Sequence, residues 1–511
     1  MFKRLFVANR GEVAARIVRA CSELQIETVC GASTADLEAN YPYLQQADAV
    51  VCIGGSAPSA SYLQLEQIVQ AAKQTQCSAL HPGWGFLAEN SLFAALCEQH
   101  GITFIGPDAA TMDIMALKVP ARAAAMAAGL PVVPGSDGIL DSPQAAIVVA
   151  NQVGYPVVLK ADAGGGGRGI RRCNNDSEVT QAFTDAAREA QSAFGNAALY
   201  LEKYIVGGRH IEFQVLGDGR GNAIHLGERE CSIQRRHQKL LEEAPSPMMS
   251  DEQRNHYGDL SAKAAASFNY AGAGTIEYLL DEDGSLFFLE MNTRLQVEHP
   301  VTEEIFGIDL VAWQLQVAAG GFLPLKQDQI QAQGHSIEAR LYAEDSDQGF
   351  LPSIGQLHHL KFGPGLRVET GVAQGGQVTP YYDPMIAKLI ATGPDRASAL
   401  QRLLRGLQLT QIAGLKTNRD FLVALLQHKD FVAGRFDTGL IARDLEALTR
   451  APAPAAEDWA RAALCAMGLL DIGRDRQNNM GFTLFTPMRQ SVALRHKDQL
   501  QTLQVSLRPG G

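Results

Sequence analysis

Strand-like and helix-like stretches alternate through the first hundred residues, and that alternation narrows the possible folds more than any other feature of the chain. LFVA at 5–8 reads as a buried strand, and Gly11 opens the amphipathic pattern EVAARIVRACSEL. TVCGAS at 28–33 and AVVCIG at 49–54 read as further strands. A helix around 63–75 leads to SALHPGWGF, and FAALCEQHG leads to TFIG. Strands separated by helices of this length build a parallel α/β sheet, and such sheets bind ligands in the loops at strand C-termini.

A helix is expected around 112–130, ending at Gly129-Leu130-Pro131, then a strand at 156–161 followed by GGGGRG. A helix is read over roughly 176–192, followed by strands in ALYLEKYI and HIEFQVLG. From about 335 the strands SIEARLYAED, LHHLKF, RVETGV and MIAKLIATG precede the helices RASALQRLLRGLQL and TNRDFLVALLQ, which reads as an α+β unit. APAPAAED at 451–458 reads as a linker, and the rest as a short helix with β-like runs.

Composition excludes several classes. The 511 residues carry 44 Lys and Arg against 55 Asp and Glu, a net charge of −11, which argues against a nonspecific nucleic-acid binder. No apolar run is long enough to span a bilayer, and Asn9, Arg10 and Glu12 interrupt what would be a signal-peptide core. The eight cysteines form no C-x-x-C pair, which points to a reducing, cytoplasmic setting.

The segment 273–299 carries most of the chemistry. TIEYLL and SLFFLEMN flank Asp281-Glu282-Asp283-Gly284, so they read as a hairpin. If Leu280 faces Phe287, Glu277 lies opposite Glu290. Like charges opposed across a strand pair are destabilising, and a divalent cation such as Mg²⁺ would offset them. Beyond Glu290, alternation places Asn292, Arg294, Gln296 and Glu298 on one side of an extended segment, either facing a site or as the solvated face of an edge strand.

Lys160 with the glycine run suits phosphate oxygens, although the run is neither a Walker A nor a dinucleotide fingerprint. Arg235, Arg236, His237 and Lys239 cluster within five residues, read as an anion pocket or a solvated basic face. His81-Pro82-Gly83-Trp84-Gly85-Phe86 is a second candidate loop. Arg340 stands among acidic neighbours and pairs on paper with Glu338 or Glu344. Lys118, Glu202, Lys203 and His210 are locally ambiguous.

These stretches together resemble the biotin carboxylase component of biotin-dependent carboxylases, an ATP-grasp enzyme. The matches are ANRGE at 8–12, HPGWGFLAEN at 81–90, FIGP, GYPVVLKA, GGGGRG, EKY at 202–204, RHIEFQV, CSIQRRHQK, EEAPSP, EMNTRLQVEHPVTE at 290–303, FLPS and YYDPMIAKLI, over roughly 1–448. ARLYAED and GLKTN…FDTGLI look most like acyl-CoA carboxylase α-subunits of methylcrotonyl- or geranyl-CoA type. The implied fold is α/β: a Rossmann-like pre-ATP-grasp domain over 1–115, an ATP-grasp domain over 116–330 with a mobile lid about 132–204, and an α+β C-terminal domain over 331–448. Residues 449–511 would be a linker and the start of a carrier-connecting domain.

The resemblance also implies roles. Lys118, Lys160, Gly165, Gly166 and His237 match ATP-phosphate ligands, and Glu202, Lys203, Ile205, His210 and Gln234 the nucleotide pocket. Glu277, Glu290 and Asn292 match the Mg²⁺ (or Mn²⁺) site. Lys239, Arg294, Gln296 and Val297 match the bicarbonate site, Glu298 the general base, and Trp84 and Arg340 the biotin contacts. The implied reaction is MgATP-dependent formation of carboxyphosphate from bicarbonate, then carboxylation of biotin on a carrier. The alternative is another ATP-grasp ligase that attacks an acyl phosphate with an amine or thiol. The implied partners are a biotin carboxyl carrier, a carboxyltransferase β-subunit and a second copy of the chain, with neither nucleic acid nor membrane. Two departures stand out: Ala116-Leu117 replaces the usual G-D before Lys118, and Trp84 replaces a Tyr. No A-M-K-M attachment motif is present, so the expected reading is an α-subunit cut before its carrier.

Overall fold

The computed structural model describes residues 1–163, 169–450, 453–469, 488–496 and 499–507. The glycine-run residues Gly165 and Gly166 lie outside these, so their expected phosphate contacts are not described. Residues 1–449 form one compact unit and 450–511 a second.

The first hundred residues form the expected parallel sheet. Its strands run Ala49–Cys52, Glu27–Ala32, Arg4–Val7, Ala79–His81, Thr103–Phe104 in spatial order, so the order reverses between Arg4–Val7 and Ala79–His81. Apolar runs such as Leu5-Phe6-Val7 are fully buried, as a sheet covered on both faces requires. The loops leaving the two strands at the reversal are tied together: Asn9 Nδ2 donates to Pro82 O at 2.6 Å and Trp84 O at 2.8 Å. Gly11 opens the helix Gly11–Glu23 at φ +66°, a value that favours glycine.

The helix expected over 112–130 is two helices, Ala109–Ala116 and Lys118–Ala127. Leu117 between them is extended, at φ −105° and ψ 132°, and bridges to Ala163. Pro120 explains the break: with no backbone N–H it fits the first turn of a new helix and disrupts the interior of a longer one. The break makes Lys118 the first residue of its helix.

A three-stranded antiparallel flap follows, Ile170–Cys173, Val157–Ala161, Leu199–Lys203, backed by the helices Pro143–Val153 and Asp176–Phe194. Val157, Leu159, Val179 and Leu201 give it its own small core. The largest sheet has eight antiparallel strands. Its order is Leu286–Asn292, Ala271–Leu280, Arg209–Asp218, Ala223–Arg235, Gln238–Ala244, His335–Tyr342, Met385–Gly393, Arg367–Thr370. The pairing of Glu242 with Glu338 and Leu241 with Ala339 carries this sheet continuously across residue 330. The long strands of the α+β stretch therefore extend the preceding sheet, and its short strands pair in three small two-stranded sheets.

In the second unit, the helix Ala456–Ala466 begins inside the stretch read as a linker, so Glu457 and Asp458 form its acidic first turn. The strands Met488–His496 and Gln499–Leu507 pair as a hairpin. Among the described residues no helix is long and apolar enough to cross a membrane.

Candidate active site

The hairpin register decides where the carboxylates fall. Leu280 pairs with Leu286, not with Phe287 as expected, so the turn is one residue shorter on that side. A bulge at Leu289, between the pairs Tyr278–Phe288 and Glu277–Glu290, restores the offset. Glu277 therefore does face Glu290, through a bulge rather than a regular ladder; bulges of this kind re-aim side chains. Beyond Asn292 the chain leaves the strand and turns into the helix His299–Phe306, with Glu298 as its N-cap residue. Glu290, Asn292, Arg294, Gln296 and Glu298 nevertheless line one cavity of about 480 Å³, and the edge-strand alternative falls. That volume is in the range of small-ligand sites.

Lys239 is the centre of this cavity. Its Nζ donates to Glu212 Oε2 at 2.6 Å, Glu298 Oε1 at 2.7 Å and Glu277 Oε1 at 2.8 Å. Arg340 holds the other side of Glu298, Nη2 to Oε2 at 2.8 Å, and its Nε donates to Glu242 Oε1 at 2.6 Å. These partners replace the Glu338 or Glu344 read from the sequence; Glu344 lies 3.5 Å from Arg235 instead. Burial would raise the Glu298 carboxyl, but the Lys239, Arg340 and Arg229 charges outweigh it and hold it well below the usual range. Burial likewise opposes the charge on Glu277, and Lys239 and His210 overcome it.

Behind this layer, fully buried Arg229 donates to Glu212 at 2.5 Å, Gln214 at 2.8 Å and Thr302 at 2.9 Å. Glu242 and Glu338 are cross-strand neighbours, and both oxygens of Glu338 are buried without a partner. Burial pushes Glu242 up to about 7 and Glu338 well above the carboxylate range, so protonation relieves their repulsion.

The facing pair Glu277 and Glu290 is offset by protein cations. Glu277 also meets His210 Nε2 at 2.9 Å, and Glu290 meets Lys118 Nζ at 3.2 Å. Two carboxylates and the Asn292 amide oxygen are nonetheless the donor set a hard cation takes, and the buried Asn292 Nδ2 has no partner. Two other groupings of close donor atoms, His210–Glu212–Glu277 and Glu212–Cys231–Glu298, both include carboxylates that Lys239 already holds.

Arg294 spreads its guanidinium over Glu89 at 2.8 Å, Asn292 at 2.9 Å and Gln296 at 3.0 Å. Arg236 and His237 form the two-residue turn between the strands Ala223–Arg235 and Gln238–Ala244, at φ +50° and +65°. Non-glycine residues in that region cost on the order of 1–3 kcal/mol each. Both side chains line the cavity, so the turn spends stability to aim them there. Burial, with the neighbouring His210 and Lys160 charges, lowers the His237 pKa and keeps its ring neutral. Arg235 stacks on Phe350 at 4.0 Å instead of joining the basic cluster.

Trp84, Lys118, Lys160, His210, Gln234 and Val297 also line the cavity. Glu202, Lys203 and Ile205 do not. Glu202 is taken up by Lys160 at 2.5 Å and Arg122 at 3.1 Å. Lys203 Nζ donates to the carbonyls of Gly154 and Tyr155, both at 2.9 Å, which turns it away. Sequence reading missed Glu212, Arg229, Glu242 and Glu89. The visible signal for Glu212 was the period-two polar series His210, Glu212, Gln214 alternating with Ile211, Phe213 and Val215 in a fully buried strand.

Residues 1–112 match the biotin carboxylase N-terminal domain model, 118–326 the carbamoyl-phosphate synthase L chain ATP-binding domain model, and 338–443 the biotin carboxylase C-terminal domain model. Biotin carboxylase of Nostoc sp. is 48% identical over 442 residues, 86% of this chain and 98% of that one. The chain belongs to the biotin carboxylase family. Its fold is that of the family, with N-terminal, ATP-grasp and C-terminal domains, and its function is ATP-dependent carboxylation of biotin. A structure of the biotin carboxylase domain dimer of Hydrogenobacter thermophilus 2-oxoglutarate carboxylase, complexed with MgADP, ADP and bicarbonate, superposes with a TM-score of 0.84. It is 48% identical and covers 88% of this chain and 100% of that one. The mitochondrial methylcrotonoyl-CoA carboxylase subunit alpha of Rattus norvegicus is 43% identical over 486 residues, 94% of this chain and 67% of that one.

Proposed function

We propose that the Lys239–Glu298–Arg340 cluster is where bicarbonate is deprotonated, phosphorylated and passed as CO₂ to biotin. The observation that carries this is Glu298, a fully buried carboxylate held ionised between an ammonium and a guanidinium. In that state it is a weak base. Bicarbonate bound by Lys239, Arg294, Gln296 and the Val297 backbone would draw Lys239 and Arg294 toward a new anion, and Glu298 would gain proton affinity. Glu298 then takes the bicarbonate proton while a bicarbonate oxygen attacks the γ-phosphorus and ADP leaves. The resulting carboxyphosphate splits into CO₂ and phosphate. The phosphate is the base for the biotin N–H, the ureido nitrogen takes up CO₂, and Arg340 stabilises the enolate oxygen.

Lys118, Lys160 and neutral His237 face the nucleotide phosphates, with the glycine run including Gly165 and Gly166. His210 and Gln234 face the nucleotide, and Glu202, Lys203 and Ile205 join them if the flap over 132–204 moves. Glu277, Glu290 and Asn292 would hold Mg²⁺ or Mn²⁺, which neutralises phosphate charge when bound. Trp84 and Arg340 receive biotin.

We further assign the chain to the acyl-CoA carboxylase α-subunits of methylcrotonyl- or geranyl-CoA type, working in the cytoplasm as a homo-oligomer with a biotin carrier and a carboxyltransferase β-subunit. The similarity to the rat α-subunit supports this, because it extends over more of the chain than that to the Nostoc enzyme. The segments 1–115, 116–330 and 331–448 would be its catalytic parts, and 449–511 the start of the carrier connection. The decisive experiment is ATP hydrolysis with and without bicarbonate and free biotin. Bicarbonate-dependent turnover stimulated by biotin supports the reading; its absence from a nucleotide-binding preparation overturns it. Product formation independent of biotin would favour another ATP-grasp ligase.

A further inference from the structure

Lys388 lies in the strand Met385–Gly393 and is fully buried. Lysine is seldom fully buried unless its charge is met. Its Nζ donates to Val297 O at 2.7 Å and lies 3.1 Å from Glu12 Oε2. Glu12, also buried, accepts from Trp84 Nε1 at 2.9 Å through its other oxygen. Three successive contacts thus join the indole in one wall of the cavity to the peptide carbonyl immediately before Glu298. Their residues come from four distant segments: the helix Gly11–Glu23, the loop after Ala79–His81, the loop after Leu286–Asn292, and the strand Met385–Gly393. Lys388 is also the cross-strand neighbour of Arg340, so the same sheet face carries both cations to the Val297–Glu298 segment.

Charge compensation alone does not explain the arrangement. The shortest contact of Lys388 is to a neutral carbonyl, not to Glu12. The indole contact is particular to a ring with an N–H at that reach, and Trp84 supplies it.

We propose that Glu12 and Lys388 are positioning residues that couple the Trp84 loop to the Val297–Glu298 peptide, so that a biotin ureido ring seated against the indole changes how the bicarbonate end of the cavity is held. The inference rests on the assignment of Trp84 to biotin and of Val297 and Glu298 to bicarbonate. A ring that shifts Trp84 alters how Glu12 divides itself between the indole N–H and Lys388, and hence how firmly Lys388 holds the carbonyl. Because coupling between two binding sites is reciprocal, bicarbonate must change biotin affinity by the same factor as biotin changes that of bicarbonate.

The test uses the full chain, free biotin and bicarbonate. Glu12→Gln keeps an acceptor for the indole and removes the charge facing Lys388. Its expected result is a fall of about fivefold or more in biotin stimulation of ATP hydrolysis, with a raised KM for bicarbonate and an ATP KM within about twofold of the parent. Lys388→Met should do the same more strongly. Should that variant fail to fold, Glu12→Gln decides alone. Unchanged stimulation and unchanged bicarbonate KM in Glu12→Gln overturn the coupling, as does a parallel rise of both KM values, which marks general loosening. A parent chain with biotin-stimulated turnover and an unaffected Glu12→Gln sinks this inference only. A parent chain without bicarbonate-dependent turnover sinks the functional reading and this inference together.

Discussion

On the floor of the cavity, three carboxylates meet one ammonium at 2.6–2.8 Å, with Arg229 braced behind them and Arg340 beside Glu298 in the cavity wall. In the flap the proportions reverse: one carboxylate, Glu202, serves two cations, Lys160 and Arg122. Most of the floor residues sit on strands of an eight-stranded sheet, with Glu298 at the start of the helix His299–Phe306, whereas the flap has three strands and a small core of its own. Floor charges satisfy one another within the protein. In the flap, a phosphate group can compete with Glu202 for Lys160. The floor is therefore braced from several sides, and the flap leaves Lys160 with a single carboxylate partner that an anion could replace; under the proposed function these suit preorganised stabilisation and phosphate capture respectively.

The strongest challenge to a preassembled floor is Lys239→Met. It leaves Glu212, Glu277 and Glu298 facing one another in a buried space. Removing one partner of a buried charge cluster costs about 3–5 kcal/mol, so thermal or denaturant unfolding should show a loss of that size along with abolished turnover. A loss under about 1 kcal/mol would mean that Lys239 is not what holds the floor together. Next comes Glu298→Gln, which preserves shape and removes the carboxylate proposed as the base. Turnover should fall about 10³-fold, within the range for a general base, while nucleotide binding by titration stays near that of the parent.

The flap should respond less. Glu202→Gln weakens the contacts to Lys160 and Arg122, and a net loss of about 1–2 kcal/mol in stability is expected. The ATP KM should change while the bicarbonate KM stays fixed, and equal changes in both would erase the contrast between the two regions.

Sequence legibility divides along the same line. The parallel sheet was readable because its strands are continuous apolar runs and its helices show a clear 3.6-residue period. Glu277 opposite Glu290 was reached with a turn register wrong by one, which the Leu289 bulge cancelled. Nothing in a period-two pattern reveals a bulge. The floor residues that went unread, Glu212, Arg229 and Glu242, act from behind, through contacts 17 to 98 positions apart in sequence. Lys203 differs in the opposite way: it lies on the expected strand, but two backbone carbonyls hold its ammonium away from the cavity. Local pattern shows which residues are polar in apolar surroundings; which partner each one meets depends on the sheet order.

The smallest effect is expected at His210, beside the floor cluster on the strand Arg209–Asp218. Its ring contacts Glu277 on the floor, and its charge bears on His237 in the cavity-lining turn. Burial would lower the His210 pKa, but Glu277 outweighs burial and raises it above the ordinary value near 6.5. A raised folded pKa means the pair contributes fully below the unfolded value and is lost as pH climbs through the folded one. The stability difference between the parent and His210→Asn should therefore be greatest near pH 6 and shrink on going to pH 9, measured by denaturant unfolding at each pH. Under the proposed function the ATP KM of the parent should rise over the same interval, because an imidazolium lining the cavity favours phosphate and a neutral ring does not. A stability difference that is flat across this range would place the His210–Glu277 contact among neutral hydrogen bonds and leave Glu277 dependent on Lys239 alone.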